Sequence, residues 1–143
     1  MRLFAVILWA LVLFIFTCNI SLHALLNDKI LFIINPHPKY RDLFIYLDYN
    51  LVHPYWIIVK LGHVIGFAIM DFLLFWWTRK RTYAALLTIT LALLTEILQL
   101  FFNRDGRIYD VVIDSVGILI SYYASKLHKT IKIISKELNL GKR

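Results

Sequence analysis

Charged residues make up 17% of the 143 residues and hydrophobic residues 60%, whereas a soluble globular domain usually carries about a quarter charged residues. This composition argues against a water-soluble core and favours one membrane domain over residues 1–143. The net charge of +7 does not indicate nucleic-acid binding, because the basic residues lie at the ends of apolar runs and in the C-terminal tail. Membrane lipids are the expected partner of these charges.

Four apolar runs predict an all-α polytopic membrane protein with four transmembrane helices, at about residues 3–20, 55–77, 83–102 and 108–125. The first run follows Arg2 and lacks a convincing cleavage site, so we interpret it as a retained signal anchor. Cys18 near its end is the single cysteine, which excludes an intramolecular disulfide. The second run contains Gly62 and Gly66, a spacing that permits close helix packing.

The polar interval from His23 to Pro54 separates the first two runs. Pro36 and Pro38 interrupt any helix within it, and its apolar patches are too short to cross a bilayer. We therefore expect short interfacial segments around a proline turn. Three tyrosines should lie at the depth of the lipid headgroups: Tyr40, Tyr46 and Tyr49.

The C-terminal tail, residues 126–143, is basic and periodic. Its apolar residues recur at i, i+4, i+7 and i+11, at Leu127, Ile131, Ile134 and Leu138. This pattern predicts an amphipathic helix on an anionic inner leaflet. The alternative is a simple extension of the fourth transmembrane helix, because so short a helix is marginal without a surface.

The basic residues also predict the topology. With four spans, Arg2, the loop Arg79–Arg81 and the lysine-rich tail all fall on one side, which is then the cytoplasmic side. Both termini are expected there. The His23–Pro54 interval and the turn Asn103–Arg107 are expected outside.

Ionisable and amide side chains form a layer in the outer half of the membrane. The second span carries Lys60 and His63, the third Glu96 and Gln99, and the fourth Asp110 and Asp114. A rise of about 1.5 Å per residue places them at similar depths. Because an unpaired charge in hydrocarbon is costly, we expect Lys60 to pair with Glu96, and Asp110 with Arg104 or Arg107.

Asp71 lies deeper than this layer. It suggests either a proton relay or a protonated carboxyl that is hydrogen bonded to Thr88 or to a backbone carbonyl.

A metal site is a further alternative for the layer. His63, Glu96, Asp110 and Asp114 offer the imidazole and carboxylate ligands that suit zinc or manganese. However, no HExxH-like spacing is present, and Lys60 beside these residues would repel a cation. The sequence therefore predicts no metal and no cofactor.

The same residues resemble the motif of the VanZ-like family of small bacterial membrane proteins. The resemblance runs from about Lys60 to Ser121. Its parts are, in order, Lys60-x-x-His63, Thr95-Glu96-x-x-Gln99, Arg104, Asp110 and Gly117. Asp114 stands where the family usually has asparagine, and Ser121 replaces a second glycine. The resemblance implies a polytopic protein of the bacterial cytoplasmic membrane that is associated with resistance to the glycopeptide teicoplanin.

We therefore expect an outward-facing polar pocket that binds an envelope lipid, a wall precursor or a glycopeptide. Its predicted ligand-binding residues are Lys60, His63, Glu96, Gln99, Arg104, Asp110 and Asp114. In this hypothesis Lys60 and Arg104 hold anionic groups, Glu96 and Asp110 orient them, and no turnover is required.

Two alternatives belong to other functional classes. One is an intramembrane enzyme that acts on a lipid-linked substrate, with Glu96 as the general base and His63 as the acid. The other is a small proton-coupled transporter that uses Asp71.

Overall fold

The computed structural model describes residues 1–19, 34–45 and 54–140, and within these ranges the protein is helical and contains no strand. Its α-helices are α1 (Arg2–Phe14), α2 (Pro54–Thr78), α3 (Arg81–Phe101) and α4 (Ile108–Leu140). A π-helical turn, Ile15–Asn19, extends α1, and a 3₁₀ turn, Tyr40–Phe44, follows the prolines. Tyr46 and Tyr49 lie outside the described residues.

The helices fit a membrane protein. By length and composition α2, α3 and α4 can cross a membrane, while the apolar helix Arg2–Cys18 is shorter. The expected all-α class with four apolar helices is confirmed.

Helix α2 lies at the centre of the bundle and packs against α1, α3 and α4. The guanidinium of Arg2 lies over the ring of Trp76, 5.2 Å from its centroid, which places the start of α1 beside the end of α2. At the other end Phe14 contacts Phe102, with ring centroids 5.7 Å apart. Helices consecutive in the chain are thus antiparallel, and α2 and α4 run parallel, since Lys60 meets Asp110 and His63 meets Asp114. The apolar core comprises Val6, Leu13, Phe67, Met70, Leu74, Ala84 and Ala92.

Glycine controls the closest approach of α2 and α4. A Cβ atom at Gly117 would collide with the carbonyl oxygen of Val64 and the backbone nitrogen of Ala68. Of the pair predicted to allow close packing, Gly66 does so, because a Cβ atom there would lie 2.7 Å from Leu13 Cδ2 of α1. Its carbonyl oxygen also accepts a 2.9 Å hydrogen bond from Trp9 Nε1 of α1. Gly62 instead faces open space, with nothing within 4 Å of a Cβ placed there.

Two turns in the left-handed region reverse the chain between helices, at Arg79 (φ 59°) and Asn103 (φ 52°). The first lies at the end of the bundle that also holds Arg2. The second lies at the opposite end. There the loop before the 3₁₀ turn is attached to α3, since the Asn35 amide donates a 2.7 Å hydrogen bond to the Phe101 carbonyl oxygen.

Helix α4 continues without a break through residues 126–140 of the predicted tail. Its 33 residues span about 50 Å at 1.5 Å per residue, well beyond a hydrocarbon core of about 30 Å. Residues 126–138 are exposed. The tail is therefore a helical extension of the fourth span, which was the alternative to a separate surface helix.

Candidate functional site

The predicted polar layer forms where α2 begins, α3 ends and α4 begins. Five of the seven predicted site residues are buried: His63, Glu96, Gln99, Asp110 and Asp114. Lys60 and Arg104 are partly buried. The structure thus brings side chains from separate helices into one place, as their depths indicate, whereas ligand binding by them stays a prediction.

Lys60 pairs with Asp110 and not with Glu96. Its Nζ atom donates to both carboxylate oxygens of Asp110 at 2.5 Å, and both side chains are largely buried. The ammonium also lies over the rings of Trp56 and Tyr109, 5.6 and 5.1 Å from their centroids. The predicted Lys60–Glu96 pair is therefore wrong. Asp110, expected to pair with Arg104 or Arg107, takes Lys60 as its partner because both lie near the start of adjacent helices, at the same end of the bundle.

Glu96 is held by neutral donors near the turn that follows α3. Its Oε2 atom accepts a 2.7 Å hydrogen bond from the backbone amide of Arg107, and its Oε1 atom accepts one of 3.1 Å from Gln99 Nε2. Gly106 permits this arrangement, since a Cβ atom there would collide with the Glu96 carbonyl oxygen. Glu96 and Gln99 thus fix the turn against α3, an effect that the i, i+3 spacing alone does not reveal.

His63 and Asp114 form the third contact of the layer. His63 Nδ1 lies 3.2 Å from Asp114 Oδ1. Glu96 lies beside them, so that one ligand atom from each of the three residues falls within 4.8 Å of the others. Asp114 is fully buried, and its Oδ2 atom has no hydrogen-bond partner among the described residues.

A cavity of about 340 Å³ lies between α1 and α2 beside this layer. That volume falls in the range of small-molecule sites, roughly 300–1,000 Å³. The open space at Gly62 is part of it. The lining residues are mostly apolar and comprise Trp9, Val12, Leu13, Phe16, Thr17, Ile58, Val59, Gly62, His63, Ile65, Gly66 and Arg104.

Arg104 brings a cation to the polar end of this cavity. It follows α3, and its backbone amide donates a 2.9 Å hydrogen bond to the Gln99 carbonyl oxygen. Its Nη1 atom is buried and has no hydrogen-bond partner within the described ranges. A buried guanidinium nitrogen without an acceptor is costly, so this end of the cavity favours an anionic group.

Asp71 belongs to a separate cluster nearer the other end of the bundle. Its Oδ2 atom lies 2.5 Å from Arg81 Nη2 in an ion pair without the geometry of a directed hydrogen bond. Arg81 also donates to the Ile118 carbonyl oxygen at 3.1 Å and to Ser121 Oγ at 3.4 Å. The predicted bond to Thr88 is absent, because the Thr88 hydroxyl donates to the Ala84 carbonyl oxygen. The ion pair to Arg81, whose guanidinium also bonds to α4, joins three helices and suits a structural tie better than a proton relay.

Sequence reasoning missed the cavity and the role of Arg81. Trp9 and Thr17 of the first span line the cavity, but neither departs from an ordinary apolar helix in the sequence. Arg81 was interpreted as part of a cytoplasmic loop. Its position at the first residue of α3, ten residues after Asp71, is the signal that could have indicated an ion pair across the turn.

Comparison with known proteins identifies the family. The family model described as VanZ/LLP1 matches residues 2–129. The uncharacterized membrane protein YwnJ of Bacillus subtilis (strain 168) is 34% identical over 118 residues, which cover 80% of this chain and 82% of that protein. No solved structure matches. Because the family match extends over most of the chain, well beyond the polar layer, the protein belongs to the VanZ/LLP1 family.

Proposed function

We propose that this membrane protein binds an amphiphilic, anionic molecule of the bacterial cell envelope. The apolar chain of the ligand occupies the cavity between α1 and α2, and its anionic headgroup lies at Arg104 and His63. The observation that carries this proposal is the cavity itself, which is apolar along its length and ends at a buried guanidinium nitrogen without an acceptor.

The polar end of the cavity must supply the selectivity. In a membrane an acyl chain gains little by leaving the lipid, because lipid tails are as apolar as the cavity wall. A charge-assisted hydrogen bond contributes about 1.5–3 kcal/mol, so a bond from Arg104 to an anionic oxygen favours the ligand over neutral lipids.

In this proposal fewer polar residues contact the ligand than the sequence predicts. Lys60 is already neutralised by Asp110, whereas Arg104 has a buried guanidinium nitrogen without an acceptor among the described residues and lines the cavity. Glu96 holds the turn that carries Arg104 through the Arg107 amide. The required chemistry is an alkyl chain next to an anionic group. Three kinds of envelope ligand share it: an anionic lipid, a lipid-linked wall precursor and an acylated glycopeptide of the teicoplanin type.

We also propose that the protein resides in the bacterial cytoplasmic membrane with both termini in the cytoplasm. The basic residues Arg2, Arg79 and Lys80 gather at one end of the bundle, and the polar layer lies at the other. By the positive-inside rule the basic end is cytoplasmic, so the cavity opens in the outer half of the membrane.

A cavity-filling variant tests the proposal. Gly62→Leu puts a side chain into the cavity at a position where a Cβ atom has nothing within 4 Å, and Arg104→Gln removes the cation. The purified proteins are embedded in nanodiscs and exposed to a photoreactive long-chain alkyl phosphate. We expect Arg104→Gln to reduce cross-linking about tenfold or more, since one charge-assisted hydrogen bond is worth at least that factor. Gly62→Leu should also reduce it, because the new side chain occupies the space proposed for the alkyl chain.

The matched control is Leu61→Phe, which adds bulk on the exposed face of α2 next to Gly62. It should cross-link like the wild type. Equal labelling of Gly62→Leu and Leu61→Phe would refute binding in the cavity. In cells, the susceptibility to teicoplanin is compared with the susceptibility to a glycopeptide that has no acyl chain. If the protein binds the drug itself, it should protect only against the acylated drug. If it binds an endogenous lipid, its effect should not depend on the acyl chain of the drug.

A further inference from the structure

We propose that His63, Glu96 and Asp114 form a binding site for a divalent transition metal, Zn²⁺ or Mn²⁺. Each of the three residues comes from a different helix, α2, α3 and α4 respectively. Their ligand atoms lie within 4.8 Å of one another, and the residues are 8%, 0% and 0% exposed. In a tetrahedral site with bonds of about 2.0–2.1 Å the ligand atoms lie roughly 3.3 Å apart, so small side-chain movements would close the site.

The charges of the polar layer favour a cation. The ion pair with Lys60 neutralises Asp110, which leaves the carboxylates of Glu96 and Asp114 side by side around His63. Two buried carboxylates must be neutralised either by bound protons or by a bound cation. A divalent ion with two carboxylates and a neutral imidazole has no net charge.

The structure removes the objections that the sequence raised against a metal. Lys60 would repel a cation if its ammonium faced these residues, but its Nζ atom is held by both oxygens of Asp110. The lack of an HExxH-like motif excludes ligands from one helix. It does not exclude a site in which three helices contribute one ligand each.

The surroundings orient the ligands as partners of metal ligands usually do. Gln99 and the Arg107 amide each donate to one oxygen of Glu96, and both oxygens keep a further lone pair. With its proton on Nε2, His63 offers the Nδ1 lone pair to an ion, and Nδ1 lies 3.2 Å from Asp114 Oδ1, close to the spacing of two ligands of one ion. The second, independent indication is Asp114 Oδ2, which is buried without a hydrogen-bond partner in the described part of the chain.

A metal would also explain how an anionic headgroup can approach this layer. Without a cation, the carboxylates of Glu96 and Asp114 would repel an anion that is bound at Arg104. With a divalent ion they are neutralised, and Arg104 gives the site a net positive charge. Because His63 lines the cavity, an open coordination position would face the ligand. Metal binding itself does not depend on the proposed lipid.

Metal content tests the proposal without any lipid ligand. The full chain is purified in detergent, its affinity tag is removed, and it is stripped with a chelator and equilibrated separately with Zn²⁺ and Mn²⁺. Mass spectrometry of the elements then gives the metal-to-protein ratio. We expect about one ion per chain of the preferred metal, and a thermal unfolding midpoint that rises with its concentration.

Asp114→Asn and Glu96→Gln are the test variants, since each keeps the size of the side chain but replaces a charged carboxylate ligand by a neutral amide. Both should bind metal at least about tenfold more weakly. The control is Asp105→Asn, the same change at a residue whose side chain is 87% exposed, and it should bind like the wild type.

Cobalt supplies a readout that does not depend on the variants folding. Co²⁺ in the wild-type site should absorb in the visible range as a low-coordinate complex, and Zn²⁺ should displace it. A wild-type protein that takes up none of these ions would show that protons neutralise the carboxylates and would overturn the proposal. Wild-type affinity in both Asp114→Asn and Glu96→Gln would overturn it as well.

Discussion

The ion pair between Lys60 and Asp110 makes stability depend on a small number of side chains. It lies where water is scarce, and its side chains are 15% and 3% exposed. The net gain from a buried pair is small, because desolvation offsets the attraction, but removal of one partner leaves an uncompensated charge. Removing one partner of the pair should therefore destabilise the protein much more than removing both.

We expect Lys60→Met or Asp110→Asn alone to lower the free energy of unfolding by about 3–5 kcal/mol, and the double variant to cost less than the sum. The free energy of unfolding is measured in mixed micelles for the wild type, the two single variants and the double variant. The comparison cycle combines Lys60→Met with Glu96→Gln. Because Glu96 bonds to Gln99 and the Arg107 amide, its coupling to Lys60 should be much weaker. Strong coupling in the second cycle and additivity in the first would contradict the observed pairing.

For single residues, the sequence predicted that the polar side chains of three helices come together but did not predict their partners. Depth follows from counting residues along a helix, whereas partners depend on how each helix is rotated about its axis. Lys60 and Glu96 have similar depths, but the rotation of α2 and α4 directs Lys60 to Asp110. The contact of Glu96 with the turn depends on the close approach of the Gly106 backbone to α3. A pattern of side chains along the sequence does not predict such a backbone contact.

Among the helices, α2 and α4 make the tightest contact, at Gly117. A methyl group there would meet backbone atoms of Val64 and Ala68, which cannot move aside as a side-chain end can. The helices would have to separate. Gly62, also within α2, has nothing within 4 Å of the corresponding position and is a natural comparison.

Gly117→Ala should lower the free energy of unfolding by about 1–3 kcal/mol, the typical cost of overpacking. Gly62→Ala should instead be neutral or stabilising by up to about 1 kcal/mol, because alanine is the better helix former. Thermal unfolding in detergent measures both variants. If the two alanine variants were equally stable, the close approach of α2 to α4 would be disproved.

Helix identity and order could be read from the sequence, while the end of α4 could not. The apolar runs are long and separated by charged turns, and membrane spans leave few alternatives to helix. The lysine-rich segment after residue 125 has an amphipathic period, which fits a surface helix and a continued span equally well. No Gly or Pro interrupts residues 118–140, and α4 runs on through them.

For the whole molecule, the two ends of the bundle have opposite chemical character. One end carries the basic loop and the arginine of α1, and the other carries the buried carboxylates of the polar layer with the turn around Asn103. The fold therefore converts a pattern of charges in the sequence into a polarity along the membrane normal. Labelling residues at the two ends of the bundle from one side of the membrane would therefore show which end faces the cytoplasm.

We expect cysteine labelling from outside the cell to modify Asp105→Cys and to spare Lys80→Cys. Both positions are exposed. Neither has a positive φ, unlike Arg79 and Asn103, so cysteine is tolerated without backbone strain. The native Cys18 is buried and should stay unlabelled in intact protein. The opposite pattern would place the cavity in the inner half of the membrane.

The hydrogen bond from Trp9 to the Gly66 carbonyl has a spectroscopic consequence. Indole emission responds to nearby polar and charged groups, and Trp9 lines the cavity in which the ligand chain is proposed to lie. Filling the cavity should therefore shift the emission of the wild-type protein and leave Trp9→Phe unchanged, although Trp56, Trp76 and Trp77 still emit. A titration with an unlabelled alkyl phosphate would then give the affinity of the protein for this ligand, because the emission of Trp9 reports whether the cavity is filled.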